Sequence, residues 1–325
     1  MQPACTETLL IPWAVLPDRL PFIRLALGSV ARDPRPTLRP RFGFSTNTER
    51  YRRAGNSAIV VLPLHGISLQ RTDALGEALG FVNLWRFTQA FRAALADHFV
   101  SGIVIDIDSP GGSVYGVAEL ADEIYRARGR KPIAAIANSL AASGAYWIGS
   151  AASEFYVTPG GEVGSIGVVA AHQDFSKALG KAGIETTLIS AGRYKVEGNP
   201  FAPLGSDARR YVQARVDEYF GMFVRAVARN RGVDIATVRA GMGQGRVLSA
   251  NAAKAENMVD GIATFDDVLR MLAQRIALGT AGPSATRLHA RQRLIGALDG
   301  QPLRKASRTA ASAAVHRQEV ELLAL

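Results

Sequence analysis

The run Gly102-Ile-Val-Ile-Asp-Ile107 is the feature that most constrains this chain. It has strand length and is rich in β-branched residues, with no polar alternation to mark a solvent face. A strand buried on both faces belongs in a parallel sheet covered by crossover helices. The rest of the central chain repeats that rhythm. A strand at 57–64 ends near His65-Gly66, and a helix follows at 83–98, where Leu84, Phe87, Phe91 and Leu95 share a face. After 102–107 come the turn Asp108-Ser-Pro-Gly-Gly112 and a helix from Ser113 to about Arg128, with Val117, Leu120 and Ile124 facing inward. Further strands are predicted at 133–137, 154–157, 165–169 and 186–189. From Ser206 the pattern turns helical. A long helix carries Val212, Val216, Phe220, Phe223 and Val227, and shorter ones are expected at 234–241, 249–257 and 265–278, with a last strand near Ile262. The fold class is therefore α/β, a parallel sheet of βαβ units with a helical layer toward the carboxyl end.

The ends differ from this body. Residues 1–56 are rich in Pro and Arg, with one amphipathic piece at 13–27, and read as an extension that docks or stays mobile. Residues 57–279 form the expected folded domain. Residues 280–325 form a basic tail of low complexity whose last turn, 320–325, is apolar. The net charge of +10 sits almost wholly at the ends, since residues 54–279 contribute only +1. Basic ends suit an acidic partner or plain solvation. Neither interleaves aromatic with basic residues, so no nucleic-acid site is identified. Cys5 is the single cysteine, which excludes an internal disulfide and suits a reducing compartment. No apolar run reaches the roughly 18 residues of a membrane span. The first apolar run, 9–16, is broken by Pro12 and makes a poor secretion signal. No metal-ligand cluster or nucleotide fingerprint is present, and Gly241-Met-Gly-Gln-Gly245 reads as a glycine turn.

Chemistry is concentrated in two loops at the carboxyl ends of predicted parallel strands, the edge where open α/β sheets bind ligands. One is Ser109-Pro-Gly-Gly112. The other is Ser143-Gly144, at the corner between the strand 133–137 and an apolar helix running to Ala152. Ser143 is either the cap of that helix or a nucleophile whose oxyanion would form beside unpaired amides. A nucleophile needs a base. His65 and His172 follow strands and read as structural residues. A lysine held neutral by burial is the other route, and Lys195 is the candidate, in Ser190-Ala-Gly-Arg-Tyr-Lys195-Val-Glu-Gly-Asn-Pro-Phe201. Its alternative is a solvated loop lysine.

Four motifs in order carry a resemblance: Ser-Pro-Gly-Gly112, Ala-Ala-Ser143-Gly-Ala-Tyr-Trp, Gly164-Ser-Ile-Gly-Val168 and Gly-Arg-Tyr-Lys195. With a Ser143-to-Lys195 spacing of 52 residues, the stretch 57–275 resembles the S49 family of serine peptidases, which includes the signal peptide peptidase A proteins. Lys195-Val-Glu-Gly-Asn-Pro, Val61-Leu-Pro-Leu and Arg71-Thr-Asp-Ala-Leu75 are similar to the head-maturation (prohead) peptidases of lambda-type tailed phages. The resemblance implies a ClpP/crotonase-like spiral, a Ser-Lys dyad of Ser143 and Lys195, and Ser165 as the serine that positions the lysine. It places the oxyanion at the amides of Gly112 and Gly144, with Gly111 beside them. It also implies a cofactor-free endopeptidase acting on extended scaffold- or capsid-type chains after small or apolar residues. The expected setting is a homo-oligomer in the host cytoplasm or the phage prohead. Asp106 and Asp108 read as strand-end and turn residues, because a carboxylate beside Lys195 would keep it charged. Related readings are a signal-peptide-peptidase-like enzyme of the bacterial host, an acyl-CoA enzyme on the same fold, and an idle structural protein.

Overall fold

The central sheet is built on alternation. Along the strand Val100–Ser109, Ile103, Ile105 and Ile107 join one apolar cluster, while Val104 joins another on the opposite face. The strand Ser57–His65 divides in the same way, with Val60, Leu62 and Leu64 on one side and Ile59 and Val61 on the other. Both faces are covered, which is why these strands read as continuous apolar runs.

The computed structural model describes residues 12–24, 26, 50–54 and 57–278, all within one compact unit. The tail 280–325, its apolar last turn, Cys5 and the linker 32–40 lie outside the described residues. In chain order the strands are β1 Trp13–Val15, β2 Arg50–Ala54, β3 Ser57–His65, β4 Ile67–Leu69, β5 Phe81–Asn83, β6 Val100–Ser109, β7 Gly111–Ser113, β8 Ile133–Ala142, β9 Glu154–Val157, β10 Glu162–Gly164, β11 Val247–Ser249 and β12 Gly261–Ile262. The helices are α1 Ala74–Ala78, α2 Leu84–Ala96, α3 Val117–Ala127, α4 Gly144–Ser150, α5 Ser176–Lys181, α6 Ser206–Arg231, α7 Ile235–Ala240, α8 Ala250–Ala255 and α9 Phe265–Ala277.

The larger sheet has the order β11-β10-β8-β6-β3-β2, with β9 pairing β8 and β12 pairing β9. Its inner pairs β3/β6, β6/β8, β8/β9, β8/β10 and β9/β12 are parallel, and the edges β2/β3 and β10/β11 are antiparallel. The expected α/β architecture with a mostly parallel sheet and crossover helices is observed. Helices α2, α3, α4 and α6 contribute to the main cluster, and α9 covers the other face through Val268, Leu269 and Leu272. Thr264 starts α9 with a reciprocal capping box to Asp267, which holds the Asp267 carboxyl below its ordinary range. A second, four-stranded sheet has the order β1-β7-β4-β5.

Three sequence expectations change, and one alternative left open is decided. Residues 111–113 form β7, and α3 starts only at Val117, because Gly116 takes a left-handed conformation (φ 82°) just before it. The strand expected at 165–169 is replaced by β10 at Glu162–Gly164, with Val169 alone bridging to Trp13. Residues 186–189 form no strand and are exposed, since no neighbouring strand meets their backbone. In the amphipathic piece at 13–27, Trp13, Ala14 and Val15 form a buried strand, so this part of the amino-terminal stretch is docked.

Candidate active site

β8 delivers Ser143 to the corner where sheet becomes helix. The Ser143 backbone is at φ 55°, ψ −120°, a region that L residues seldom occupy and that costs of order 1–3 kcal/mol. Tight backbone bonds hold it there. Its N–H donates to the Gly164 carbonyl at 2.7 Å, and its carbonyl accepts from the Trp147 N–H at 3.0 Å. Ser143 occupies the cap position of α4, yet its side chain makes no capping hydrogen bond. Its Oγ instead donates to the Gly167 carbonyl at 3.3 Å. The capping alternative therefore does not account for this serine. All seven residues of α4 are buried, and Trp147 stacks on Phe223 of α6 with ring centroids 4.6 Å apart, fixing the helix behind the serine. The buried Tyr146 hydroxyl donates to the Met258 carbonyl at 3.0 Å, and burial raises its pKa.

The second loop approaches the same corner. Ser109 Oγ donates to the Gly66 carbonyl at 2.6 Å and accepts from the Gly111 N–H at 3.2 Å, which sets the turn. Gly111 has φ 95°, and a Cβ there would meet the Ala142 carbonyl at 2.9 Å and the Gly144 nitrogen at 3.0 Å. The loop and the start of α4 are thus in direct apposition. A Cβ at Gly112 would lie 1.9 Å from the Ser68 carbonyl, so only glycine lets β7 pair this closely with β4. Gly111, Gly112, Gly144 and Ser143 are all buried.

Ser165 follows Gly164, whose carbonyl accepts from the Ser143 N–H; it has φ 53°, and its own N–H donates to the Arg246 carbonyl at 2.7 Å. Lys195 does not join the cluster. It sits on an exposed turn, its N–H bonded to the Gly192 carbonyl at 3.1 Å, so the burial expected of it is absent. The segment around it is open: residues 181–195 are all exposed, with Ile189 at 97 %, and the half-exposed Tyr194 ring is met by the guanidinium of its exposed neighbour Arg193 at 5.0 Å. Asp106 Oδ2 accepts from His65 Nε2 at 3.1 Å in the imidazole tautomer that carries its proton there, and Asp108 Oδ1 accepts from the Ser139 hydroxyl at 2.6 Å. Asp106 is a strand residue as expected, while Asp108, expected in the turn, still lies in β6, which runs on to Ser109. His172 Nε2 bonds the Asn199 carbonyl at 3.0 Å.

Sequence reasoning missed the parts played by three residues. Gly164 and Gly167 supply the carbonyls that fix Ser143, a role that no side chain signals. Ala14 brings its carbonyl to within 3.1 Å of where a Gly144 Cβ would stand. The local signals were an apolar run interrupted by Pro12 and the amphipathic piece at 13–27.

Comparison with known proteins gives this geometry a context. Residues 126–279 match the family model described as peptidase family S49. The chain is 36% identical over 228 residues to the capsid assembly protease C of Escherichia phage lambda, covering 69% of this chain and 52% of that one. It is 30% identical over 275 residues to the head-tail preconnector protein GP5 of Enterobacteria phage P21, covering 80% and 54%. It is 27% identical over 229 residues to a putative signal peptide peptidase SppA of Enterococcus faecium, covering 70% and 66%. The chain spans about half the length of the two phage relatives it matches.

Proposed function

Residues 126–279 belong to peptidase family S49, and from that premise we propose that the chain is a serine endopeptidase with Ser143 as its nucleophile. One observation carries the reading: Ser143 is held at a positive φ on a strand-to-helix corner, directly beside the Gly111-Gly112 loop. A serine that caps nothing and is kept in an unfavourable backbone conformation points to chemistry more than to folding.

In the proposed reaction, Lys195 takes the Ser143 proton as Oγ adds to the scissile carbonyl. The amides of Gly112 and Gly144 receive the oxyanion, with Gly111 shaping the loop and Ser165 placing the lysine. The tetrahedral centre collapses to an acyl-enzyme as the C–N bond breaks, and the leaving amine takes its proton from Lys195. Water then hydrolyses the ester by the same route. Each oxyanion amide is expected to lower the barrier by about 3 kcal/mol. Lys195 must move inward for any of this. We take association of copies to be the event that covers the exposed segment 181–195 and brings the lysine to work.

The proposed substrates are extended scaffold- or capsid-type chains cut during phage or prophage head assembly, in the host cytoplasm or the prohead. The names of the two phage relatives support this choice. Among the described residues no helix is long and apolar enough to cross a membrane. A second reading, a catalytically idle structural protein, is favoured by one observation, the exposure of Lys195.

Intact mass over time, for the wild type beside Ser143→Ala with an unfolded protein added, tests the proposal. Time-dependent fragments in the wild type alone are expected. Equal fragmentation in Ser143→Ala sinks the mechanism, and no fragmentation from any assembled form favours the idle reading.

A further inference from the structure

A strand of this chain fills the place where an extended peptide would lie beside Ser143. β1 runs antiparallel to β7, with Ala14 opposite Gly112 and Trp13 opposite Ser113. Its other edge is paired as well. The Trp13 N–H donates to the Val169 carbonyl at 2.8 Å, and the Val169 N–H donates to the Trp13 carbonyl at 2.9 Å. The ladder with the glycine loop continues at both ends, from the Leu16 N–H to the Pro110 carbonyl at 3.0 Å and from the Val114 N–H to the Pro12 carbonyl at 3.4 Å. In an antiparallel ladder, pairs that exchange hydrogen bonds alternate with pairs that do not. These flanking bonds therefore make Ala14 and Gly112 an exchanging pair, with the Gly112 N–H aimed at the Ala14 carbonyl.

That carbonyl also lies 3.1 Å from the position of a Cβ on Gly144 and 2.2 Å from one on Gly111. It thus rests among the three glycines of the candidate oxyanion site, and a side chain on Gly111 would expel it. The slot is narrow as well as polar. The Ala14 Cβ lies 3.6 Å from the Gly144 Cβ position, in ordinary contact, so a small side chain fits there. Ser143 and Ala14 are both 0 % exposed, so the strand and the nucleophile share one closed interior. Trp13 and Val15 pin the strand from the far side, in an apolar cluster with Ile23, Ala26, Ile67 and Phe81.

We propose that the slot between Gly111–Ser113 and Val169 is the peptide-binding groove of this chain. It takes an unfolded segment as a strand, with a small residue opposite Gly112, and residues 12–16 are its resident ligand, which an incoming segment must displace. The proposal deepens the peptidase reading, on which it rests for the cleavage that comes after displacement. Because the resident strand is tethered, it competes at an effective concentration of order millimolar. A dilute peptide loses that competition. A chain crowded against the enzyme in an assembly can win it.

The test uses the full chain carrying Ser143→Ala and a synthetic peptide copying residues 10–18. Hydrogen exchange is followed at 13–16, 111–113 and 169, with saturation by the peptide judged from fluorescence polarisation of a labelled copy. Displacement is expected to strip protection from 13–16 while Gly112 and Val169 keep theirs, one strand having replaced another. Adding Trp13→Gly to the same background, to loosen the resident strand, is expected to tighten peptide binding about tenfold. Unchanged protection of 13–16 with peptide bound, equal affinity in the two variants, or no binding at all each overturns the proposal. Wild-type turnover of an unfolded protein is read separately. Turnover with 13–16 still protected removes this inference alone, and displacement without turnover removes the peptidase reading alone.

Discussion

Two residues decide whether the proposed chemistry works, and each yields a separate prediction. Gly112→Ala would place a methyl 1.9 Å from the Ser68 carbonyl, so the loop must shift away from β4. Losing one aligned oxyanion amide is expected to cut turnover by about 10²–10³-fold, read as kcat on an unfolded substrate. A smaller loss would remove Gly112 from the oxyanion role. Lys195→Ala should abolish hydrolysis, and Lys195→Arg should fail to restore it, because a guanidinium stays protonated and cannot take the Ser143 proton. Activity in Lys195→Arg assigns the base elsewhere. The two residues also show how legible the site was. Ser143 and the glycines could be singled out as candidates from sequence, because local backbone demands, a sharp corner and a close approach, select those residue types, while their proposed roles came from the family resemblance. The setting of Lys195 could not be read, because burial depends on what packs over residues 181–195, and nothing within that segment specifies its cover.

The strand β8 and helix α4 form the element on which the site turns. Most of the central elements were readable because their apolar spacing is local, and α2 and α3 came out within a few residues of expectation. The failures have a shared cause. β1, β7 and the bridge at Val169 exist through partners far away in the chain, and stretches of one to three residues are too short to show a period that would announce them. Helix α4 has no capping side chain and only seven residues, so its stability must come from packing. The Trp147–Phe223 stack is its main tie to α6. Trp147→Ala is expected to lower unfolding free energy by about 3–5 kcal/mol, measured by urea titration. It should also depress turnover more than a comparable cavity on the opposite face, such as Leu272→Ala in α9, because α4 and not α9 carries the Gly144 amide of the proposed oxyanion site. Equal losses of turnover at matched stability would mean that α4 merely fills space.

At the scale of the whole molecule, large apolar side chains are exposed singly at Phe22, Trp85, Phe99, Ile235 and Leu278, and as a group on the Lys195 segment. Ile184, Ile189 and Tyr194 stand out on the Lys195 segment, and Tyr211 faces out nearby on α6, beside a cavity of about 650 Å³ shared by Tyr194 and Tyr211. If association covers this surface, Ile189→Glu should leave the thermal transition unchanged, shift the particle to a smaller size by light scattering, and reduce turnover with it. A smaller particle with full turnover would separate assembly from catalysis. The amino-terminal strand has a different consequence at this scale. β7 has β4 on one edge and β1 on the other. A chain shortened to begin at residue 57 would bare the backbone donors and acceptors of Gly111–Ser113 along one edge and, by removing β2, those of β3 along another. Open edges recruit whatever strand is nearest, including those of other molecules. Such a truncation, a natural choice for anyone seeking the minimal folded domain, should therefore precipitate or form edge-to-edge aggregates as its concentration rises.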